Sequence, residues 1–459
     1  MRNLLKLFFL SLLISSCSEH NKANNDYLIS NTNIVDIEKG VIIPHQFVRI
    51  TDERIIKISD SNLNVSGSIQ VVDGSGKYLI PGLWDMHVHY CWNYPASNPL
   101  LIANGITGVR EMFGDMDTIK SIRNAANKKM LFAPEIISSG PIIDGVPAIW
   151  PGSDTISNPN QAKDIVSKQI AQGVDFLKVY SMLTKENYFA IAKEANARNI
   201  PFSGHIPDDV TIWEAIKAKQ RSFEHLYGLL EGCTKYPYKL ALYKKPSFPF
   251  TQKMLFLKET FDEVKFDSLL NELAVSDSWI CPTLIMLRAM GHSKDTIFTN
   301  DKRIKYLPTY MTSNWKESEN YNTPYIELSG IQFEFQKSLI GKMQHAGVKI
   351  IAGTDFPNPY CFPGFSLHDE LSLMVEGGMT PLEALKSATL NPALFLNKKK
   401  EYGTVAAGKF ASLILLNKNP LENINNTKEI YAVFLKGNYF DRTSLDKLLK
   451  NAALAAVNQ

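Results

Sequence analysis

The chain has 459 residues, 45% of them hydrophobic and 21% charged, which is enough to bury a large core in one big domain with a smaller one beside it. Its 49 basic and 46 acidic residues leave a net charge of only +3. No dense Lys/Arg stripe interrupts the text, which argues against nucleic acid as a partner.

At the start of the chain, Arg2 and Lys6 precede a mainly apolar run, Leu7 to Ile14, that ends in Ser15, Ser16 and Cys17. The run is too short to stay in a bilayer as a spanning helix. Its order resembles a bacterial lipoprotein signal, which implies cleavage before Cys17, a lipid on Cys17 and a lipid-anchored protein of the cell envelope, on the periplasmic face or at the outer membrane. An ordinary secretory signal is the alternative. Residues 18–26 are polar and without apolar periodicity, as expected of a flexible spacer.

From Tyr27 to residue 80 the sequence runs in short β-type stretches (YLISNTNIVDI, VIIPHQFVRITD, RIIKISD, IQVVDGSGKYLIPG), each closed by Asp, Asn, Gly or Pro, as hairpins are. Over 81–398 apolar strands of five or six residues alternate with amphipathic helices, as in GVDFLKVYS, KENYFAIAKEANARNI and PFSGH. Alternation over that length predicts an α/β fold, a (β/α)8 TIM barrel of parallel strands with crossover helices. Residues 399–445 return to β-type runs and are expected to join the first hairpins in a β-sandwich built from both chain ends. Residues 446–459 would form a C-terminal helix or tail. The Tyr-, Lys- and Pro-rich segments 235–250 and 296–329 fall between barrel strands and are candidates for a lid.

The strongest local signal is Pro81-Gly82-Leu83-Trp84-Asp85-Met86-His87-Val88-His89, a strand that delivers two imidazoles at i, i+2 to one face. At the C-terminal end of a barrel strand that face looks onto the active site. Two neutral imidazoles there suit a zinc-like ion. Four further apolar segments end in comparable groups: Lys178 in DFLKVY, His205 in FSGH, His225 in SFEH and Asp355 after VKIIAGT. A lysine ammonium in an apolar strand is costly to bury without a partner. Cys91, Cys233, Cys281 and Cys361 lack CxxC spacing and suggest no thiolate metal site; whether any of them pair is left open.

The order His-x-His, Lys, His, His, Asp, together with the AGTD strand and the tail GMTPLEALKSATLNPA followed by GTVAAGKFASLILL, resembles the amidohydrolase superfamily in its binuclear imidazolonepropionase-like and prolidase-like branch. The resemblance covers nearly the whole folded chain. It implies two divalent metal ions, with zinc the favoured identity: His87, His89 and Asp355 on one, His205 and His225 on the other, and Lys178 bridging them as a carbamate formed with carbon dioxide. It also implies a metal-bridging hydroxide as nucleophile, Asp355 as the catalytic proton carrier, and hydrolysis of a C–N bond in a small amide, N-acyl compound or dipeptide, in the manner of an Xaa-Pro dipeptidase. Tyr227, Arg110 and His368 are weaker candidates for meeting a substrate, with structural roles as the alternative. A helix-capping role suits His345. The sequence departs from the family at Ser412, where an acidic residue is usual, and in GPIIDGVPAIWPG, which lacks a pocket histidine found in relatives. Two other readings compete: a mononuclear imidazolonepropionase-like cyclic-amide hydrolase, and a non-catalytic lipoprotein that captures a ligand. Homo-oligomer formation is left open.

Overall fold

The computed structural model describes residues 26–63, 69–240, 250–313, 315 and 323–457. The signal region and Cys17 lie outside the described residues, as does the spacer up to residue 25. Asp26, read as spacer, instead opens the first strand, where its carboxylate accepts from Arg49 at 2.8 Å and from the Thr51 hydroxyl at 2.6 Å. Five strands come from the hairpin-rich stretch: β1 (Asp26–Asp36), β2 (Val41–Thr51), β3 (Arg54–Ser59), β4 (Gln70–Asp73) and β5 (Tyr78–Pro81). Gly40 turns the chain between β1 and β2 with φ 70° and donates to Asp36 O at 2.8 Å.

Next come two parallel sheets. β6 (Leu83–Val88), β7 (Ile106–Glu111) and β8 (Glu135–Ser138) form the first. β9 (Ile142–Asp144), β10 (Asp154–Thr155), β11 (Leu177–Val179), β12 (Phe202–Gly204), β13 (Ser222–Glu224) and β14 (Trp279–Cys281) form the second, in the order β10-β9-β11-β12-β13-β14. Helices alternate with these strands. Lys185–Ala197, for example, starts where the Thr184 hydroxyl caps Asn187 N–H, and it buries Tyr188, Ile191, Ala192 and Ala195 on one face, the spacing of an amphipathic helix.

The sheet edges are joined by a few backbone hydrogen bonds. Asp175 N–H donates to Ser138 O at 2.8 Å beside β8 and β11, and Ile351 N–H donates to Ile280 O at 2.9 Å. On its other side the 349–355 segment meets β6, with Met86 N–H on Ala352 O at 2.8 Å and Asp355 N–H on His87 O at 2.7 Å. This segment reads as a strand in the sequence but has no continuous ladder. Its amides are diverted, Ala352 N–H to Ser387 O at 2.9 Å and Thr354 N–H to Asp85 Oδ1 at 3.0 Å. Strands β11 to β14 are three residues long rather than five or six, because the chain turns at once: Gly204 has φ 128° and His225 φ 61°. Side chains from both parallel sheets, Trp84, Met86, Ile137, Phe176, Trp279 and Ile351, meet in one buried cluster.

The chain ends with β15 (Leu413–Leu416), β16 (Ile430–Leu435), β17 (Asn438–Phe440) and the helix Arg442–Val457. β15 pairs with β5, so strands from both ends share a sheet of eight in the order β17-β16-β15-β5-β1-β2-β3, with β4 on β1. Hydrogen bonding thus makes one sheet where a sandwich of two was expected. The reason is β1, eleven residues long, which pairs with β2 along one edge and with β4 and then β5 along the other. Ile29, Val48, Ile50, Leu79, Leu413 and Phe434 form its own core. No helix of the described residues is long and apolar enough to cross a membrane.

Candidate active site

The groups that end β6, β11, β12 and β13 converge with Asp355. His87 Nε2 lies 3.4 Å from Lys178 Nζ and 3.3 Å from Asp355 Oδ1, and His89 Nε2 lies 3.0 Å from the same oxygen. The His87 and His225 rings are 4.6 Å apart and those of His205 and His225 4.9 Å. All but His89 are buried. Local backbone geometry puts them there: Gly204 presents His205 in a conformation where a Cβ would sit 2.2 Å from Val179 O, and His225 and Asp355 both adopt φ 61°, a strained region for residues with side chains.

A second set of side chains aims the imidazoles. Glu224 Oε2 accepts from His87 Nδ1 at 2.8 Å, the Ser181 hydroxyl meets His205 Nδ1 at 2.9 Å, and the Thr283 hydroxyl meets His225 Nδ1 at 2.7 Å. Occupying Nδ1 fixes the tautomer and leaves the other ring nitrogen with its lone pair. Asp85 ties β6 to the last segment through the Thr354 hydroxyl at 2.6 Å and the Thr354 amide at 3.0 Å. Glu370 accepts from Leu284 N–H at 2.9 Å and Ile285 N–H at 2.7 Å, fixing the turn that carries Thr283.

Burial governs the charges. It drives His87 and His205 well below the ordinary imidazole range and His225 down to about 4, so all three are neutral and able to donate a lone pair at neutral pH. Burial also lowers Lys178 to about 8, against the opposing pull of Asp355 and Glu224. For Asp355 burial acts upward, but His225, His89 and Lys178 outweigh it and hold the carboxyl below its ordinary value. The donor set fits a divalent ion. His87, His89 and Asp355 offer atoms all within 4.8 Å of one another. His205 Nε2 is buried without a hydrogen-bond partner among the described residues, which a coordinated cation would repair. A second cluster, His87 with Glu224 and Cys281, does not fit. Arg110 already neutralises Glu224, and burial holds the Cys281 thiol well above its ordinary range, so it offers no thiolate.

Of the weaker candidates, Tyr227 lies in the site, its ring 5.2 Å from His205 and 5.1 Å from His225. Arg110 does not face a substrate. It is fully buried beneath the cluster, donating to Met86 O, to the Ser222 hydroxyl at 2.7 Å and to both Glu224 oxygens at 3.0 and 2.9 Å. His368 does not line the pocket either, because both its ring nitrogens are engaged elsewhere, with Thr427 Oγ1 at 2.9 Å and Asn104 O at 3.0 Å. His345 closes the helix Thr323–His345 by bonding Gly341 O at 2.6 Å. The four cysteines are buried free thiols. Sequence reasoning missed Asp85, Glu224, Ser181, Thr283 and Glu370. Asp85 and Glu224 left a signal, each being an acid inside an apolar strand next to a candidate ligand.

This arrangement defines a hydrolase of the amidohydrolase class: residues 334–439 match the amidohydrolase family model. Residues 334–439 thus carry an amidohydrolase family domain, and members of that family generally bind divalent metal ions. Ochratoxinase from Aspergillus niger is 25% identical over 419 residues, 77% of this chain and 73% of that protein. Among solved structures, a bottromycin amidohydrolase superposes with TM-score 0.78 at 19% identity, covering 95% of this chain and 91% of the other. An Xaa-Pro dipeptidase with bound methionine gives TM-score 0.67 at 18% identity, covering 91% of this chain and 100% of its own. These structural likenesses show the fold.

Proposed function

We propose that the protein is a binuclear metal-dependent hydrolase that cleaves a C–N bond in a small N-acyl compound or dipeptide. The observation that carries this reading is the convergence of His87, His89, Lys178, His205, His225 and Asp355 from five separate segments onto one buried point. We read the fold as a (β/α)8 barrel over 81–398, its eight staves being β6, β7, β8, β11, β12, β13, β14 and the 349–355 segment. The edge hydrogen bonds and the shared interior cluster support this, and it makes the 27–80 and 399–445 strands the smaller domain. His87, His89 and Asp355 would hold one ion and His205 and His225 the other. When bound, such ions polarise a scissile carbonyl and bring the pKa of water toward neutrality.

The chain's own groups do the rest. Asp355, held as a carboxylate, accepts a proton from the attacking water and passes it to the departing nitrogen. An ammonium on Lys178 has no lone pair. Addition of its free amine to carbon dioxide, with loss of one proton, would supply a carbamate with two acceptor oxygens at the place where the ligands meet. Half-buried Tyr227 turns its ring toward the two histidines of the second position. A mononuclear site is the second reading, favoured by the compactness of the His87, His89 and Asp355 group alone. Metal analysis of zinc-loaded protein, with hydrolysis of a panel of dipeptides and N-acyl amino acids, tests both. About two zinc ions per chain and chelator-sensitive turnover are expected; one ion selects the second reading, and no turnover of any amide by loaded protein overturns the hydrolase reading.

A further inference from the structure

The loops that leave β6, β9 and β11 carry large apolar side chains into solvent at the same strand ends as His89 and Lys178. Trp92, Ile149, Trp150 and Met182 are 58, 47, 50 and 44% exposed, and clustered exposed apolar surface of this kind marks a recognition site. The surface is continuous with the ligand cluster. The Trp92 indole N–H donates to Phe113 O at 3.0 Å, and Phe113 packs 3.8 Å from where a Cβ on Gly152 would lie. Two residues before Gly152, Trp150 Nε1 donates to Tyr180 Oη at 2.9 Å, and Tyr180 stacks on His205 with ring centroids 4.0 Å apart. The loop is held in place. Buried Asp144, the last residue of β9, accepts from the amides of Gly145 at 2.9 Å, Met182 at 2.8 Å and Ile149 at 3.0 Å. Gly145 permits that closure, since a Cβ there would lie 1.9 Å from Met182 O.

We propose that this arm is a specificity surface, in which Trp150, flanked by Ile149 and Met182, receives a large apolar or aromatic group carried beside the scissile bond of the substrate. The inference rests on the hydrolase reading for the word scissile, but the binding preference can be measured without turnover. A membrane is the less fitting occupant. Residues 145–154 contain no Lys or Arg and end in Asp154, whereas interfacial elements pair their aromatics with basic residues, and the arm runs through Tyr180 directly to a candidate ligand. Calorimetric titration of the zinc-loaded full chain compares 3-phenylpropanoate with propanoate, which share a carboxylate and contain no hydrolysable bond. The aromatic acid should bind about ten-fold or more tightly. Trp150→Ala should cut that ratio to about three-fold or less. Met182→Ser, a smaller change, should cut the ratio in the same direction if Trp150→Ala does not fold. Equal affinities in the parent protein, a ratio untouched by both variants, or no binding of either acid overturns the proposal. So does loss of association with phosphatidylglycerol vesicles in Trp150→Ala with the ratio intact, which would assign the aromatics to a lipid surface. Failure of the hydrolase reading is seen separately, as absent amide turnover with the aromatic preference retained.

Discussion

Arg110→Met isolates the polar foundation under the cluster. Arg110 and Glu224 are both essentially inaccessible to solvent and joined by two hydrogen bonds of 3.0 and 2.9 Å, so salt screens them little. Removing one partner of a buried pair leaves the other charge uncompensated and costs about 3–5 kcal/mol. Glu224→Gln keeps an acceptor for His87 Nδ1 while removing the charge. In the double variant the stranded charge is gone, so its destabilisation should fall short of the sum of the singles by at least about 1 kcal/mol. Urea unfolding of metal-stripped protein, followed by far-UV circular dichroism, gives the three values without linkage to metal binding. Because Glu224 orients His87, Glu224→Gln should also weaken zinc binding about 10- to 100-fold in a chelator competition. Additivity within about 0.5 kcal/mol, with unchanged zinc affinity, would refute the assignment of this pair as the support of His87.

Three further outcomes follow from the same structure. Lys178→Ala should lower the zinc content of loaded protein to one ion or less and abolish amide turnover; full activity with two ions retained removes the bridging role. Burial pushes Glu370 up to about 8 from an ordinary 4.5, so the folded chain keeps a proton that the unfolded chain has released. The stabilisation from this group is complete below about pH 4.5 and lost as pH rises through about 8. Urea midpoints should therefore fall over that interval, and Glu370→Gln should flatten the fall; an identical slope in the variant counts against it. Cys17, outside the described residues, is the proposed lipid attachment point, so Cys17→Ala should move the protein from the membrane to the soluble envelope fraction, and persistence in the membrane would remove the anchor.

The candidate ligands were legible because each is a polar residue that closes an apolar run, where neither burial in a core nor a solvated face explains it. His87 and His89 announce themselves through i, i+2 spacing, and Lys178 through its cost in an apolar strand. The supporting shell was not legible. Ser181 and Thr283 are ordinary loop residues in the text, and only the fold brings Thr283 to His225 across an interval of 58 residues. Arg110 misled for the opposite reason. A guanidinium near a site suggests an anion in solution, yet its five donors can equally be taken up by Met86 O, Ser222 and Glu224 below the site. The sandwich expectation failed on a question of edges, since alternating apolar patterns do not say that β1 serves three partners.

The overextension of strands in the sequence reading and the placement of the ligands have one cause. A strand that ran on past Val179 or Glu224 would keep alternating its side chains between core and helix layer, and the imidazoles could not gather above the core. The chain instead breaks the ladder where the ligand is needed, at Gly204 before His205, at His225 and Leu226, at Thr283 and at Asp355, all with positive φ. Non-glycine residues in that region cost on the order of 1–3 kcal/mol each and persist only where their surroundings over-determine them. Here the surroundings are specific: the His225 amide bonds Cys281 O at 3.0 Å, the Asp355 amide bonds His87 O at 2.7 Å, and Glu370 clamps the turn after Thr283. The buried acids Asp85 and Glu370, which hold the Thr354, Leu284 and Ile285 amides, therefore help make a strained backbone tolerable, and the strain turns His205, His225 and Asp355 toward His87, His89 and Lys178.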